Sequence, residues 1–431
     1  MPVPHSWVES ANGPDADFPL HNLPYGVFDA GEGARIGVAI GDQILDLPAA
    51  TAATGLAPEI VRACGTASLN ALMSLGPAHW SALRRWTTEQ LRAGAPASQA
   101  LIPMKDAAMK LPVEIGDYTD FFTSVYHANN VAGFLRPDQS LWPNYKYLPV
   151  GYHGRASSVI LSGTPVRRPR GQMKPAGAER PSFGPCHMLD YELEAGFFTG
   201  PGNLLGDPVP IDAAPGHIFG ACLLNDWSAR DIQFWESQPL GPFLSKSFST
   251  SISPWVIPMS ALEPFRVPAF PRATGDPAPL PHLYSQADQQ RGGIDLTVEV
   301  YLLTPRMRDA GAAPARLTRG NFRDMYWTVA QMLAHHTSNG CNLRPGDLLG
   351  SGTISGATPD SLGCLLELTR AGADAIRLPN GEERCFLEDG DEVILRGYCE
   401  RGEPGRGDHL RIGFGECRGV VLPPRPQPCA D

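Results

Sequence analysis

Hydrophobic and polar positions alternate along the chain in short runs that predict β-strands. Residues Ile294 to Val300 alternate cleanly, and residues Glu392 to Tyr398 follow an Asp-Gly turn as a strand would. Residues Arg35 to Leu47 carry two such runs around Gly41-Asp42, which is the pattern of a β-hairpin. Because these runs recur through the chain, we predict a mainly β fold with some helices, of the α+β class.

Apolar residues recur at helical spacing in three stretches. Residues 58–75 and 79–93 are the first two, and Gly94 is a natural end for the second. The third covers residues 321–338, where Asn321 is the predicted N-cap and Gly340 ends the helix. The 46 glycines and 43 prolines favour turns and short strands over long helices.

The order of these elements predicts two domains. Residues 1–115 contain no catalytic constellation and are predicted to form a small β-rich accessory domain, with residues 96–112 as a connector. Residues 116–431 would form the larger domain. Within it, residues 264–293 are rich in Pro, Gly and Ala and are predicted to be a long surface excursion.

Composition narrows the class of protein. The 431 residues are 42% hydrophobic and 19% charged, as expected of a folded globular protein. The formal net charge of −10 argues against a nucleic-acid or anionic membrane partner. No apolar run approaches a membrane span, and no signal peptide is evident. Nine cysteines without a C-x-x-C pair indicate reduced thiols and a cytoplasmic protein.

Glu192 and Glu194 are the most informative polar residues. Residues 188–198 read as a strand with apolar neighbours, and alternate side chains of a strand share a face. Two anions on a half-buried face repel each other and lose hydration unless a cation or a shared proton compensates. The pair therefore points to a divalent metal.

Asp120 and Asp226 are further acidic residues in unusually apolar surroundings. Asp120 precedes Phe121 and Phe122, and Asp226 ends an apolar run beside Trp227. With the two glutamates they would form an oxygen site suited to Ca²⁺, Mg²⁺ or Mn²⁺ rather than zinc. An Asp in such a turn can instead accept hydrogen bonds from backbone N–H groups. This alternative stays open for Asp120 and for Asp226.

His127 and Glu367 are two further candidates. His127 follows Asp120 by seven residues and is a possible general base, because imidazole titrates close to neutral pH. Its alternative is a structural, hydrogen-bonded histidine. Glu367 lies within an apolar run, where the alternative is an outward-facing strand residue.

Arg230, Gln233 and Lys246 form a group of donors soon after Asp226. Arg230 and Gln233 are three residues apart and would share one face of a helical turn. Donors beside a metal can stabilise an oxyanion. The alternative is surface pairing of Arg230 and Lys246 with Asp231 and Glu236.

Seven segments occur in a fixed order over nearly the whole chain. They are 116–122 (GDYTDFF), 148–158 (LPVGYHGRASS), 190–194 (DYELE), 225–233 (NDWSARDIQ), 239–243 (PLGPF), 351–356 (SGTISG) and 411–415 (RIGFG). In these segments the chain resembles the fumarylacetoacetase family. The resemblance implies a small N-terminal SH3-like β-barrel domain, then a large β-rich fumarylacetoacetase-type catalytic domain, and a homodimer as the usual assembly.

The resemblance also implies a reaction. It is the hydrolysis of a carbon–carbon bond in a small diketo acid, 4-fumarylacetoacetate, to fumarate and acetoacetate, the last step of tyrosine and phenylalanine degradation. His127 would activate water, with Glu367 orienting it, and Arg230, Gln233 and Lys246 would stabilise the alkoxide.

The resemblance assigns binding residues as well. Ca²⁺, Mg²⁺ or Mn²⁺ would be held by Asp120, Glu192, Glu194 and Asp226. A second cation, Mg²⁺, would lie near Asp226, Thr250 and the backbone carbonyl of Lys246. The substrate would contact Phe122, Arg136, Tyr152, Gln233, Ser237 and Thr353.

The sequence departs from the family pattern at three positions. Phe122 and Ser237 stand where the family usually has tyrosine, and Ser249 replaces a glycine. A hydrolase of a related acylpyruvate or 1,3-diketo acid is therefore the first alternative. An oxaloacetate decarboxylase of the same superfamily would need no water-activating histidine. A non-catalytic calcium-binding module would explain the carboxylates, but not His127 together with the three donors.

Overall fold

A computed structural model describes residues 5–52, 55–96, 100–135, 141–403, 406 and 408–426. These residues form a mainly β structure with some helices, so the predicted mainly β class is confirmed. The N-terminal part is built on five strands: β1 (Tyr25–Asp29), β2 (Ala34–Ile40), β3 (Gln43–Asp46), β4 (Leu101–Pro103) and β5 (Ala108–Lys110).

These five strands form one antiparallel sheet in the order β4-β3-β2-β1-β5. The predicted hairpin is confirmed, because β2 pairs with β3 and Ile40 lies opposite Gln43. The connector predicted over residues 96–112 is wrong, since β4 and β5 form the two ends of this strand order. Edge strands of three residues are held by backbone hydrogen bonds and need no alternating pattern, so the sequence did not reveal them.

The helices are α1 (Leu47–Thr51), α2 (Pro58–Cys64), α3 (Asn70–Ser74), α4 (Pro77–Leu91), α5 (Val125–Leu135), α6 (Arg230–Glu236), α7 (Gln286–Arg291), α8 (Pro305–Asp309), α9 (Val329–Thr337) and α10 (Leu365–Leu368). The helix predicted over 58–75 is divided into α2 and α3, because Gly65 ends α2. The helix predicted from Asn321 starts later, since Thr328 forms a capping box with Gln331. Asn321 instead caps a short 3₁₀ turn.

In the part of the chain that the structure describes, twenty-one strands follow the N-terminal sheet. They are β6 (Tyr118–Phe121), β7 (Gly151–His153), β8 (Val159–Leu161), β9 (Val166–Arg167), β10 (Arg170–Met173), β11 (Ser182–Pro185), β12 (Leu189–Asp190), β13 (Leu193–Thr199), β14 (Ile218–Asp226), β15 (Ser228–Ala229), β16 (Thr250–Ile252), β17 (Ile257–Pro258), β18 (Arg266–Val267), β19 (Gly293–Ile294), β20 (Thr297–Leu303), β21 (Ala315–Asn321), β22 (Leu348–Gly350), β23 (Ile376–Arg377), β24 (Glu383–Arg384), β25 (Glu392–Arg401) and β26 (Leu410–Leu422).

Two sheets organise this larger part. The central sheet has the order β7-β6-β22-β13-β14-β16-β8, with β17 also paired to β14. The second sheet has the order β21-β20-β25-β26-β9. The residues predicted as a surface excursion, 264–293, carry β18 and α7 and are anchored by the buried side chains of Phe265 and Leu283.

The central sheet is covered on both faces. On β13, Ala195 and Phe197 belong to the large core that also holds Val298 and Val300 of the second sheet. Phe198 points to the other face and packs in a core shared with the N-terminal sheet. Glu194 has the same parity as Phe198, so this acidic residue lies on the face that meets the N-terminal part.

Among the described residues, none of the helices is long and apolar enough to cross a membrane. The eight cysteines in that part of the chain are all free, in keeping with the reduced thiols that the sequence predicted.

Candidate active site

Four carboxylates converge at one end of the central sheet. Asp120 belongs to β6, Glu194 to β13 and Asp226 to β14, while Glu192 lies in the gap between β12 and β13. Each offers one oxygen, and these oxygens lie within 4.8 Å of one another. All four side chains are buried. The four residues predicted as metal ligands therefore form one buried acidic cluster.

A glycine makes this convergence possible. Strand β22 lies between β6 and β13, and its Gly350 is opposite Asp120 on one side and Gly196 on the other. A Cβ atom at Gly350 would lie 2.6 Å from Asp120 Oδ1 and 3.1 Å from Glu194 Oε2. The missing side chain thus leaves the space in which carboxylates of two non-adjacent strands approach each other.

Glu192 reaches the cluster from an interruption in the strand. The continuous strand predicted over 188–198 is wrong, because Tyr191 and Glu192 separate β12 from β13. The backbone there is held by non-ladder bonds: Asp226 N donates to Glu192 O at 3.2 Å, and Glu192 N donates to Asn225 Oδ1 at 3.2 Å. Both glutamates still reach the same cluster, as the sequence predicted.

Two cations neutralise part of this charge. Lys246 Nζ donates to Glu192 Oε2 at 2.7 Å and to Asp226 Oδ2 at 2.5 Å. Arg230 Nη1 donates to Glu192 Oε1 at 2.7 Å. Burial alone would raise the pKa of Glu192, but Lys246 and Arg230 outweigh it and hold that pKa well below its ordinary value.

Within the described part of the chain, Asp120 and Glu194 form no such ion pair. Burial, together with the neighbouring carboxylates, raises the pKa of both side chains well above the ordinary range. Asp120 Oδ1 and Glu194 Oε1 are buried, and neither accepts a hydrogen bond from any residue that the structure describes. Buried acidic oxygens without partners are costly unless a cation compensates, so this donor set fits a hard divalent metal ion.

We expect the metal-free protein to lose stability as the pH rises above the ordinary values of these two groups, 3.8 for Asp120 and 4.5 for Glu194. With raised pKa values the folded state keeps protons that the unfolded chain has already lost, so each pH increase in that window favours unfolding. A bound divalent ion replaces those protons. The melting temperature difference between calcium-loaded and chelated protein should therefore grow from about pH 5 to pH 8. A difference that is constant with pH would contradict this account.

His127 and Glu367 form a buried pair across the cavity from the cluster. His127 Nδ1 lies 2.7 Å from Glu367 Oε2, and Glu367 also accepts Asn130 Nδ2 and Ser355 Oγ, each at 2.7 Å. Burial would raise the pKa of Glu367, but His127 and these donors lower it to about 2. Because Nδ1 donates to this carboxylate, Nε2 is the nitrogen that remains to accept a proton.

One cavity of about 430 Å³ connects the two groups. Asp120 and Glu192 line it at the acidic end, and His127 lines it beside an aromatic wall. That wall is formed by Phe122, Trp142 and Tyr145, and the ring centroid of Phe122 lies 5.2 Å from that of His127. The cavity therefore offers a polar, cation-binding end and an apolar wall next to a base.

Comparison with known proteins identifies the family of the chain. The family described as fumarylacetoacetate (FAA) hydrolase C-terminal matches residues 118–422, and the family described as fumarylacetoacetase N-terminal matches residues 21–112. Proteins named fumarylacetoacetase from Bos taurus and Homo sapiens are 51% and 50% identical to the chain, over 95% of its length and 97% of theirs. The chain belongs to the fumarylacetoacetase family.

A solved structure resembles the fold as well. It is a fumarylacetoacetate hydrolase from Exiguobacterium antarcticum, 16% identical, with a TM-score of 0.51 over 93% of this chain and 99% of that one. At this identity the likeness concerns the fold alone. Together with the family matches, it supports a large fumarylacetoacetase-type domain preceded by a smaller N-terminal one.

The remaining residues that the fumarylacetoacetase resemblance singled out are placed as follows. Tyr152 lines the cavity, and its hydroxyl donates to Asp226 Oδ2 at 3.0 Å. Ser237 also lines it, at the end of α6, and donates to Gln233 O at 2.5 Å.

Thr250 Oγ1 donates to Asp226 Oδ1 at 3.4 Å. The hydroxyl of Thr353 is buried and has no hydrogen-bond partner among the described residues. Arg136 lies outside the described residues.

Two local alternatives from the sequence are wrong. Arg230 and Lys246 do not pair with Asp231 and Glu236 at the surface, because both are buried against the acidic cluster.

The helical turn predicted for Arg230 is confirmed, since its Nη1 donates to Gln233 Oε1 at 3.0 Å.

The strand alternative for Glu367 fails because this residue lies on the short helix α10, with its carboxylate turned inward.

The sequence did not reveal the residues that support these groups. Asn130 and Ser355 hold Glu367, and Asp190 binds Arg230. Asp190 lies two residues before Glu192, in the segment DYELE, and only that proximity could have drawn attention to it.

Proposed function

We propose that this chain hydrolyses fumarylacetoacetate to fumarate and acetoacetate. The observation that carries the proposal is the His127–Glu367 pair facing a buried four-carboxylate cluster across one cavity. Identity of about half with proteins named fumarylacetoacetase, over nearly the full chain, supports the choice of substrate.

His127 is the proton acceptor in this reaction. Its Nε2 takes a proton from water, and the hydroxide adds to the ketone carbon of the fumaryl group. Glu367 fixes the ring through Nδ1 and stabilises the imidazolium that results. When the tetrahedral alkoxide collapses, the bond to the methylene carbon breaks, and the proton held by His127 is returned to that carbon.

Three side chains of the cavity suit the negative charge on the alkoxide. Gln233 accepts from Arg230 through Oε1, so its amide NH₂ is left as a donor for the cavity. Lys246 uses two of its three N–H bonds on Glu192 and Asp226, which leaves one. Arg230 keeps Glu192 and Gln233 in place. Donors fixed in this way need no reorganisation as charge develops.

The acidic cluster is proposed to hold Ca²⁺, or Mg²⁺ or Mn²⁺, and a second Mg²⁺ is proposed beside Asp226, Thr250 and the Lys246 carbonyl. A divalent ion bound there supplies Lewis-acid polarisation of the diketone oxygens and compensates the charge of the acetoacetate leaving group. Tyr152, through its bond to Asp226, would orient one of the ligating carboxylates.

The test is loss of the ultraviolet absorbance of fumarylacetoacetate. We expect turnover by the protein loaded with calcium or magnesium, and its loss with a chelator, because the cluster then keeps no cation to compensate its charge. Turnover should return when the metal is restored. Protein that binds the metal and turns over none of this substrate would refute the assignment.

A related diketo acid is the alternative substrate. Phe122 presents an apolar ring beside His127, where the family usually has tyrosine. A panel of acylpyruvates and 1,3-diketo acids, measured in the same assay, distinguishes the two, because the better substrate has the higher kcat/KM.

On this proposal the chain acts at the end of tyrosine and phenylalanine degradation, in the cytoplasm and as a homodimer. Light scattering coupled to size exclusion tests the assembly directly.

A further inference from the structure

We propose that Asp190 is a positioning residue. It fixes the position of Arg230, beside the acidic cluster, relative to that of the His127–Glu367 pair. The inference rests on the proposed function for its catalytic readout. One carboxylate binds Arg230, which supports the acidic cluster and Gln233. The same carboxylate binds the first turn of α10, which carries Glu367 and through it orients His127.

The contacts of Asp190 account for all of its acceptor capacity. Its side chain is fully buried, at 0% exposure. Oδ2 accepts Arg230 Nε at 2.9 Å and Leu366 N at 3.0 Å, while Oδ1 accepts Leu365 N at 2.8 Å and Tyr191 N at 2.9 Å. A charged acceptor that receives four hydrogen bonds away from water holds its donors strongly and in definite directions.

Helix α10 depends on this carboxylate for its N-terminal cap. Its own N-cap residue, Cys364, makes no side-chain cap bond to the helix backbone. Asp190 takes over that role from a strand 175 residues earlier, by accepting the first two amides of the helix. Glu367 is the next residue after Leu366, so the capped turn sets where its carboxylate meets His127.

Arg230 depends on Asp190 on the other side. Its guanidinium is fully inside the protein, and its Nη1 donates to both Glu192 and Gln233. Without Asp190 the guanidinium would keep only the hydrogen bonds that Nη1 donates. It would therefore turn toward the remaining carboxylates. Gln233 would then lose the orientation that leaves its amide donors in the cavity.

Asp391 provides a matched control. It is equally buried, and it accepts Arg384 Nε at 2.9 Å and Nη2 at 3.1 Å, together with the backbone N–H of Glu388. It does not line the active-site cavity. Asp391→Asn therefore removes the same charge from the same kind of buried Asp–Arg pair, without touching the proposed machinery.

The experiment compares Asp190→Asn with Asp391→Asn in the full-length, metal-loaded protein. We expect both to lower the melting temperature to a similar extent. Asp190→Asn alone should lower kcat about 100-fold while KM stays within about threefold, because proton transfer and alkoxide stabilisation suffer more than binding. Combining Asp190→Asn with Glu367→Gln should give a loss well below the product of the two single losses, since both act on the same pair.

A readout that needs no turnover separates this inference from the proposed function. In the metal-free protein, hydrogen exchange of residues 364–369 should be faster in Asp190→Asn than in wild type or Asp391→Asn. If wild type fails to hydrolyse fumarylacetoacetate, the function is refuted, while the exchange result still decides the positioning role.

Three kinetic results would each overturn the proposal: wild-type kcat in folded Asp190→Asn, equal kcat losses in the two Asn variants, or multiplicative losses with Glu367→Gln. Unchanged exchange in residues 364–369 would also overturn it. If Asp190→Asn does not fold, Asp190→Glu is measured in the same way. It keeps the charge but moves the carboxylate by one methylene, and we expect a smaller loss of kcat with the same non-additivity.

Discussion

Replacing His127 by glutamine should lower kcat about 1,000-fold, while KM and metal affinity change little. Glutamine can still donate a hydrogen bond to the buried Glu367 carboxylate, so that charge keeps a partner. What it lacks is a basic nitrogen facing the cavity. Steady-state kinetics on fumarylacetoacetate, with metal binding followed by calorimetry, measures both quantities.

His336→Gln is the control for this experiment. His336 is a half-buried histidine, hydrogen-bonded to Thr119 and outside the lining of the active-site cavity. We expect its kcat to stay close to wild type. If His127→Gln turned over at the wild-type rate, the reaction could stand, but His127 would not be its base.

Replacing Glu194 by glutamine should change metal binding and metal-free stability in opposite directions. The substitution removes one negative charge from a buried cluster whose repulsion already raises the pKa of Glu194 and Asp120. At pH 8 the metal-free variant should therefore melt at a higher temperature than the wild type. Its affinity for calcium should fall about 100-fold, because a charged ligand is lost.

The remaining oxygen of the new side chain can still accept the N–H of Gly352, which Glu194 accepts now at 3.0 Å. Glu299→Gln is the control. Glu299 is also buried, but it pairs with Arg316 and Arg319 on the second sheet. Its loss should leave calcium affinity unchanged and should not stabilise the protein. A Glu194→Gln protein that is less stable without metal would contradict the repulsion on which this prediction depends.

Local patterns in the sequence were sufficient where the structure is local. The hairpin around Gly41-Asp42 and the helical turn that joins Arg230 to Gln233 both form as predicted, because each is stabilised by residues a few positions apart. The same local logic failed for the helix predicted from Asn321. Two possible N-cap residues, Asn321 and Thr328, lie in one segment. Only the packing of α9 makes Thr328 the residue at which the helix begins.

The sequence by itself determined which residue types carry the chemistry. The acidic pair Glu192 and Glu194 already pointed to a compensating cation or a shared proton, and the ordered motifs indicated the family. The tertiary structure decided which groups meet. Glu367 reaches His127 from 240 positions away, and Arg230 pairs with Asp190 and Glu192 instead of its neighbours.

These side-chain contacts cannot be predicted from a single segment. Each depends on the order of the strands and on the space that a third element leaves. Gly350 is the clearest example. Its sequence context shows only a glycine in a short strand, yet its missing side chain is what lets Asp120 and Glu194 face each other. Asp190 is another, since a buried carboxylate shows its partners only when the sheet and helix α10 are packed together.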